Sequence, residues 1–367
     1  MTLLKFTLTI IIACICRHVE AQPKHEILLS PVNATGNKAA YSDLLVLNDN
    51  WDTLRYRKFY DVFVSNFQQW ETKDGTRYSY YLQDTNAYVP IGTSYTSGSI
   101  CITDTNLNII NQLMMLPNGN ITQVNHAADG HDFIYIDDAH YIILGYLEEA
   151  RNNIPAFLKP MAGVRVLSSV IEEVQNGKVI WQWNSSDHPE LYEASKLNNN
   201  FSDTAKTQDY LHINSLFIDP NDKNLVVSCK NSNQVLKLNR KTGNIIWRLG
   251  GKKSDFVMNT EQQFIHQHHA TFTKEHSLLL FDNGDDSRPR SRVIEFTLDE
   301  ANKKIKTFKS IMLPGIYTPA VGSVQKFDGT YFISTGTACK VLEVKQANDK
   351  IEIQYQLPYA SYRVLKY

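Results

Sequence analysis

A chain of 367 residues that is 43% hydrophobic and 20% charged carries enough apolar side chain to bury a sizeable core. Its 37 basic and 38 acidic residues give a formal net charge of −1, which excludes the global basic footprint expected for nucleic acid or an anionic membrane surface. Five cysteines, only three of them beyond residue 21 (Cys101, Cys229 and Cys339), exclude a disulfide framework and the close thiolate pairs of a structural zinc site.

The N-terminus fixes the compartment. Residues 1–5 are positively charged, residues 6–15 form an almost unbroken apolar run, and Val19-Glu20-Ala21 precedes Gln22 with small residues at −3 and −1. This pattern predicts a cleaved secretory signal over residues 1–21 and a secreted or periplasmic domain over 22–367. Ile11-Ile12-Ala13-Cys14 loosely resembles a lipobox, so a lipid anchor at Cys14 is the alternative. The run is too short to span a bilayer as a stable anchor, and no other segment predicts a transmembrane helix.

Beyond the signal, short β-branched and aromatic runs alternate with Asn, Asp, Gly and Lys, and one phrase recurs. Asn176-Gly177-Lys178-Val179-Ile180-Trp181-Gln182-Trp183 parallels Thr242-Gly243-Asn244-Ile245-Ile246-Trp247-Arg248-Leu249, each a turn with Gly and then a strand carrying Trp. Each copy closes a longer cycle. In residues 211–250 the apolar runs are 211–218, 225–228, 235–238 and 245–249, and residues 61–116, 133–183, 270–312 and 324–357 parse the same way. Four antiparallel strands per unit, repeated, predict propeller blades. Residues 26–59 supply three strands of a further unit, which the C-terminal segment 361–367 would complete. The expectation is therefore an all-β, six-bladed β-propeller of four antiparallel strands per blade, closed by its N- and C-terminal strands. Two stacked β-sandwiches are the alternative. Residues 185–208 read as a loop inserted between blades, and Trp181, Trp183 and Trp247 as blade packing.

Three histidines fall at equivalent places. His131 opens the strand 131–135, His212 sits in Asp209-Tyr210-Leu211-His212-Ile213-Asn214-Ser215, and His268 sits in His266-Gln267-His268-His269-Ala270. Each begins the first strand of its unit, in three consecutive units. First strands of a propeller line the central channel and run the same way, so these imidazoles should converge at one mouth. A lone histidine at a strand end is ordinarily structural; three in register point to chemistry. Three neutral imidazoles can ligate zinc. Alternatively, one can act as nucleophile while the others stabilise a transferring anion.

The phrases Gly130-His131-Asp132-Phe133, residues 183–188 and Asp209 to Ser215 resemble the aryl-sulfate sulfotransferase family. So do Val227-Ser228, the run Thr242 to Gly251, Ser254-Asp255-Phe256, Gln267-His268 and Phe281-Asp282-Asn283-Gly284. The resemblance implies a six-bladed propeller that moves a sulfuryl group from an aryl sulfate ester to a phenol, with no cofactor and without phosphoadenosine phosphosulfate. It implies His268 as the nucleophile, carrying a transient sulfohistidine, with His131 and His212 as the other active-site histidines. Lys230 stands where the family has an arginine, keeping the charge but losing the planar fork that grips two oxygens at once. Asn214, two residues after His212, is the candidate substrate contact, and His269 is the alternative register for the nucleophile. Asp132 reads as a turn cap, the 282–286 stretch as a solvated acidic loop, and His188 as an outer-blade residue. A zinc enzyme built on the same histidines and a catalytically silent ligand-binding propeller are the competing readings.

Overall fold

The computed structural model describes residues 25–35, 38–83 and 97–367. The expected signal, with Cys14, lies outside the described residues. Six four-stranded antiparallel sheets form the molecule. Their innermost strands are Ser361–Lys366, Val64–Thr72, Phe133–Asp137, Ile213–Ile218, His268–Phe272 and Ser323–Phe327, and each contacts the next around a ring. This is a six-bladed β-propeller. The blade that closes it pairs the C-terminal Ser361–Lys366 with the N-terminal Ile27–Thr35 in antiparallel register, Ile27 opposite Lys366. No helix among the described residues is long and apolar enough to cross a membrane.

The burial of each strand follows its place in the blade. Leu225–Cys229, second from the axis, is buried at every position because both of its faces meet neighbouring blades. Ile351–Gln356, on the rim, alternates between half-buried and exposed, the period-2 pattern of a strand with one wet face. Between Gln175 and Lys178 the chain reverses in two residues, Asn176 at φ 51° and Gly177 at φ 70°. Positive φ at both positions matches the twist of a tight hairpin, which explains the Asn-Gly pair in the recurring phrase.

The core lies between blades. Val226, Val235, Trp247 and Leu249 of one blade pack against Phe272, Leu278, Leu280, Ile294 and Phe296 of the next. Trp183 and Trp247 are buried in these seams and Trp181 packs at their edge. The 185–208 insertion folds over the ring through two short 3-10 turns, burying Leu191, Tyr192 and Phe201. All three cysteines are free thiols.

An ion pair plugs the axis. The Arg363 guanidinium meets Asp132 in bidentate fashion, at 2.8 and 3.0 Å, and also donates to Asn66 Oδ1 and to the carbonyls of His131 and Asn214. Four blades thus share one buried cation. Asp132, read from the sequence as a turn cap, is instead the buried anion of this plug; besides the N–H of Phe133 it accepts that of Leu216 and Gln68 Nε2.

Candidate active site

Because the inner strands start at the same end of the channel, residues just before them meet there. His131 lies two residues ahead of its strand and His212 one residue ahead, the latter with a left-handed backbone at φ 59°. Their Nε2 atoms are 3.2 Å apart and the ring centroids 4.8 Å apart. Each ring is held from behind by a carboxylate that the sequence reading missed. Asp129 Oδ1 accepts from His131 Nδ1 at 2.5 Å and from its backbone N–H at 2.8 Å. Asp209 Oδ2 accepts from His212 Nδ1 at 2.8 Å. Burial lowers the His212 pKa, against the opposing pull of Asp209.

His268 occupies the first position of its strand and is buried. Its Nδ1 lies 2.8 Å from Asn283 Oδ1 and 3.1 Å from the carbonyl of His266. The Asn283 amide is itself oriented, because its Nδ2 donates to the carbonyls of Thr318 and Val321. Both neighbours of Nδ1 are therefore acceptors, so the ring proton sits on Nδ1 and Nε2 carries the lone pair. Among the described residues that buried Nε2 has no hydrogen-bond partner. Burial first, then the Lys230 ammonium, pushes the His268 pKa well below the ordinary histidine range.

Lys230 follows the strand Leu225–Cys229, and its backbone N–H donates to the His212 carbonyl at 2.9 Å, which sets it beside that residue. Half-buried, its ammonium loses affinity for its proton through burial, partly offset by Asp209. Lys230 also bears electrostatically on His212, His266 and His268, so one cation serves all three rings.

Asn214 and Gln267 hold the backbone of this mouth. Gln267, fully buried, donates to Ser228 Oγ and to the carbonyls of Cys229 and Gln234. Asn214 Nδ2 donates to the Gln267 carbonyl at 2.8 Å, one residue before His268, while its buried Oδ1 has no partner among the described residues.

His269 faces elsewhere. Its backbone is left-handed at φ 51°, and its Nδ1 lies 3.0 Å from the Val324 carbonyl in the next blade. It lines a cavity of about 470 Å³ at the opposite mouth with Trp70, Ile134, Phe217 and Phe272. His266 precedes the strand in a left-handed conformation at φ 52° and so does not share a strand face with His268.

The sequence reading of residues 282–286 as a solvated loop needs correction at its first residue. Asp282 is fully buried and paired with Arg288 at 2.5 Å and Arg292 at 2.7 Å. His188 stacks on Trp183 at 5.1 Å, away from the axis. The three histidines do not form a compact ligand set. Among the described residues, the histidines do not bring three ligand atoms within 4.8 Å of one another; the one group that does is Asp219, Asp222 and Glu300. That group surrounds the ammonium of Lys237.

The arylsulfotransferase (ASST) family model matches residues 108–365, which include all the residues of this mouth named above. No curated protein matches the chain in sequence. Among solved structures, a protein of unknown function from Bacteroides caccae is similar at 10% identity over 94% of this chain and 99% of its own, with a TM-score of 0.49. A nidogen/laminin complex chain is similar at 10% identity over 93% and 98%, with a TM-score of 0.47. A catalytically inactive virginiamycin B lyase from Staphylococcus aureus is similar at 10% identity over 91% and 89%, with a TM-score of 0.43.

Proposed function

The chain belongs to the arylsulfotransferase family, and on that footing we propose that it carries a sulfuryl group from an aryl sulfate ester to a phenolic acceptor through a sulfohistidine at His268. The family assignment supports an aryl-sulfotransferase-type function on small-molecule substrates. The observation that carries the finer reading is the His268 Nε2 lone pair: buried, without a hydrogen-bond partner among the described residues, and fixed by the proton that Asn283 draws to Nδ1. Nucleophilic attack needs a neutral imidazole, and burial beside Lys230 keeps His268 neutral.

Sulfuryl transfer asks mainly for positioning and for stabilisation of charge spread over the equatorial oxygens. Lys230 would meet those oxygens as a point charge, with the His131–His212 pair beside it at the same mouth. The adenosine-linked donor is not invoked, because an aryl sulfate already carries a leaving group of the right kind. Asn214 would contribute indirectly, by fixing the Gln267 backbone one residue before His268. Catalysis would take place outside the cytoplasm, as the signal-like N-terminus suggests.

The test mixes purified protein with 4-nitrophenyl sulfate, with and without phenol. Phenol-dependent release of nitrophenolate is expected. His268→Ala should lower it by about 10³-fold or more. His276→Ala, at a half-exposed histidine of another cluster, should leave it unchanged. No release with any phenolic acceptor would point to a propeller that binds without turnover.

A further inference from the structure

Counting protons at the His131–His212 contact gives a result that the two rings taken singly do not. Each Nδ1 faces a carboxylate, Asp129 at 2.5 Å and Asp209 at 2.8 Å, so each Nδ1 carries its hydrogen. A neutral imidazole has only one N–H. Two neutral rings would then oppose two lone pairs across the 3.2 Å between their Nε2 atoms, and two cationic rings would oppose two N–H groups. Only one added proton makes the contact attractive.

We propose that His131 and His212 hold a single proton in common between their Nε2 atoms, clamped by Asp129 and Asp209, and that this proton is the acid and base of sulfuryl transfer. The groups around the pair fit that charge. Asp129 is fully buried and supplies one negative charge from the loop ahead of the His131 strand, and Asp209 a second from the loop ahead of His212. Lys230 supplies a positive charge from the neighbouring strand end. Tyr146 and Tyr362 pack their rings within 6.2 Å of the pair, but their hydroxyls are spent on backbone carbonyls, of Ile213 for Tyr146 and of His131 and Asn214 for Tyr362. Asp132 and Arg363 neutralise each other beneath it. His268 stays neutral.

The proposal rests on the sulfuryl-transfer reading and balances in both halves. In the first, His268 Nε2 forms a bond to sulfur, the sulfur–oxygen bond to the aryl group breaks, and the aryl oxygen keeps the electron pair. The shared proton moves to that oxygen, and the phenol departs. The pair is left with two opposed lone pairs beside two carboxylates, a repulsion that a returning proton relieves. In the second half it takes the proton of the acceptor phenol, whose oxygen bonds to sulfur as the nitrogen–sulfur bond breaks. The resting proton is restored.

Two measurements test this. In protein labelled with ¹⁵N-histidine, the proton spectrum should show a strongly downfield imidazole resonance that vanishes in His131→Gln and in His212→Gln. Its absence from the wild type overturns the sharing. Second, Asp209→Asn should lower single-turnover release of phenol from phenyl sulfate by roughly 10²-fold, the lower range for general acid catalysis. Release from 4-nitrophenyl sulfate, whose phenolate leaves without a proton, should change only a few-fold. A loss equal for both donors marks a merely structural role and overturns the acid–base assignment. A wild type that shows the resonance but turns over neither donor overturns the use of the proton together with the sulfuryl-transfer reading, while the sharing stands.

Discussion

His268 and His269 are chain neighbours, yet the left-handed backbone at His269 sends their rings to opposite mouths of the channel. His268 keeps a lone pair on Nε2 without a partner among the described residues, on a ring that His131 and His212 influence electrostatically. His269 is buried in the seam with the next blade, where burial and then the Arg363 cation push its pKa down to about 3. In the unfolded chain the same ring takes up its proton near the ordinary value of 6.5. Between those two values the unfolded state binds the extra proton, so stability falls as pH drops through that window, by ~1.4 kcal/mol per pH unit for one group. His266 and His268 shift the same way and steepen the decline. Urea midpoints should therefore fall from pH 7 to pH 5. His269→Gln should start lower at pH 7 and decline with a slope shallower by about one proton. Parallel slopes for wild type and variant would show that His269 is protonated in the fold.

At the level of strands and loops, a second buried cluster locks one blade to the next. Lys237, on the strand Gln234–Leu238, is almost wholly buried and places its ammonium 2.5 Å from Asp219, 2.8 Å from Asp222 and 2.5 Å from Glu300. Glu300 belongs to the following blade and also accepts from Trp247 Nε1. Lys237→Met preserves the stem but leaves the carboxylates uncompensated, a loss of about 3–5 kcal/mol for a buried pair broken from one side. Chemical denaturation should register it, and a change under ~1 kcal/mol would mean that the carboxylates simply take up protons or water. Such pins were not legible in the sequence, whereas the strands were. Strand positions follow from local alternation, and the recurring Gly-to-Trp phrase set the blade period without any long-range knowledge. Asn283 becomes a partner of His268 only once Phe281 is paired opposite it across the hairpin. Asp129 and Asp209 did carry a local signal, an aspartate two or three residues ahead of a strand-opening histidine in consecutive blades. That spacing is not a strand period, and reading it required knowing that the loop turns each carboxylate back onto its ring.

The whole ring meets at Arg363. Its strand closes the propeller from the C-terminus, and its guanidinium reaches a carboxylate 231 residues away, a separation that no local pattern reports. With 3% of the Arg363 side chain exposed and 4% of Asp132, neither charge has water to fall back on. Removing one partner strands the other, which costs about 3–5 kcal/mol; removing both leaves no buried ion. Arg363→Gln and Asp132→Asn should each destabilise by that order, and the double variant by much less than their sum. Strict additivity in urea unfolding would show that the two charges act independently. The same guanidinium holds the carbonyls of His131 and Asn214, and Asn214 holds that of Gln267. Loss of Arg363 should therefore slacken the shared-proton pair and the nucleophile together. Arg363→Gln is thus expected to reduce the turnover of 4-nitrophenyl sulfate even under conditions where the variant is fully folded. A folded variant with wild-type kcat would confine the plug to stability and detach closure of the ring from the chemistry at its mouth.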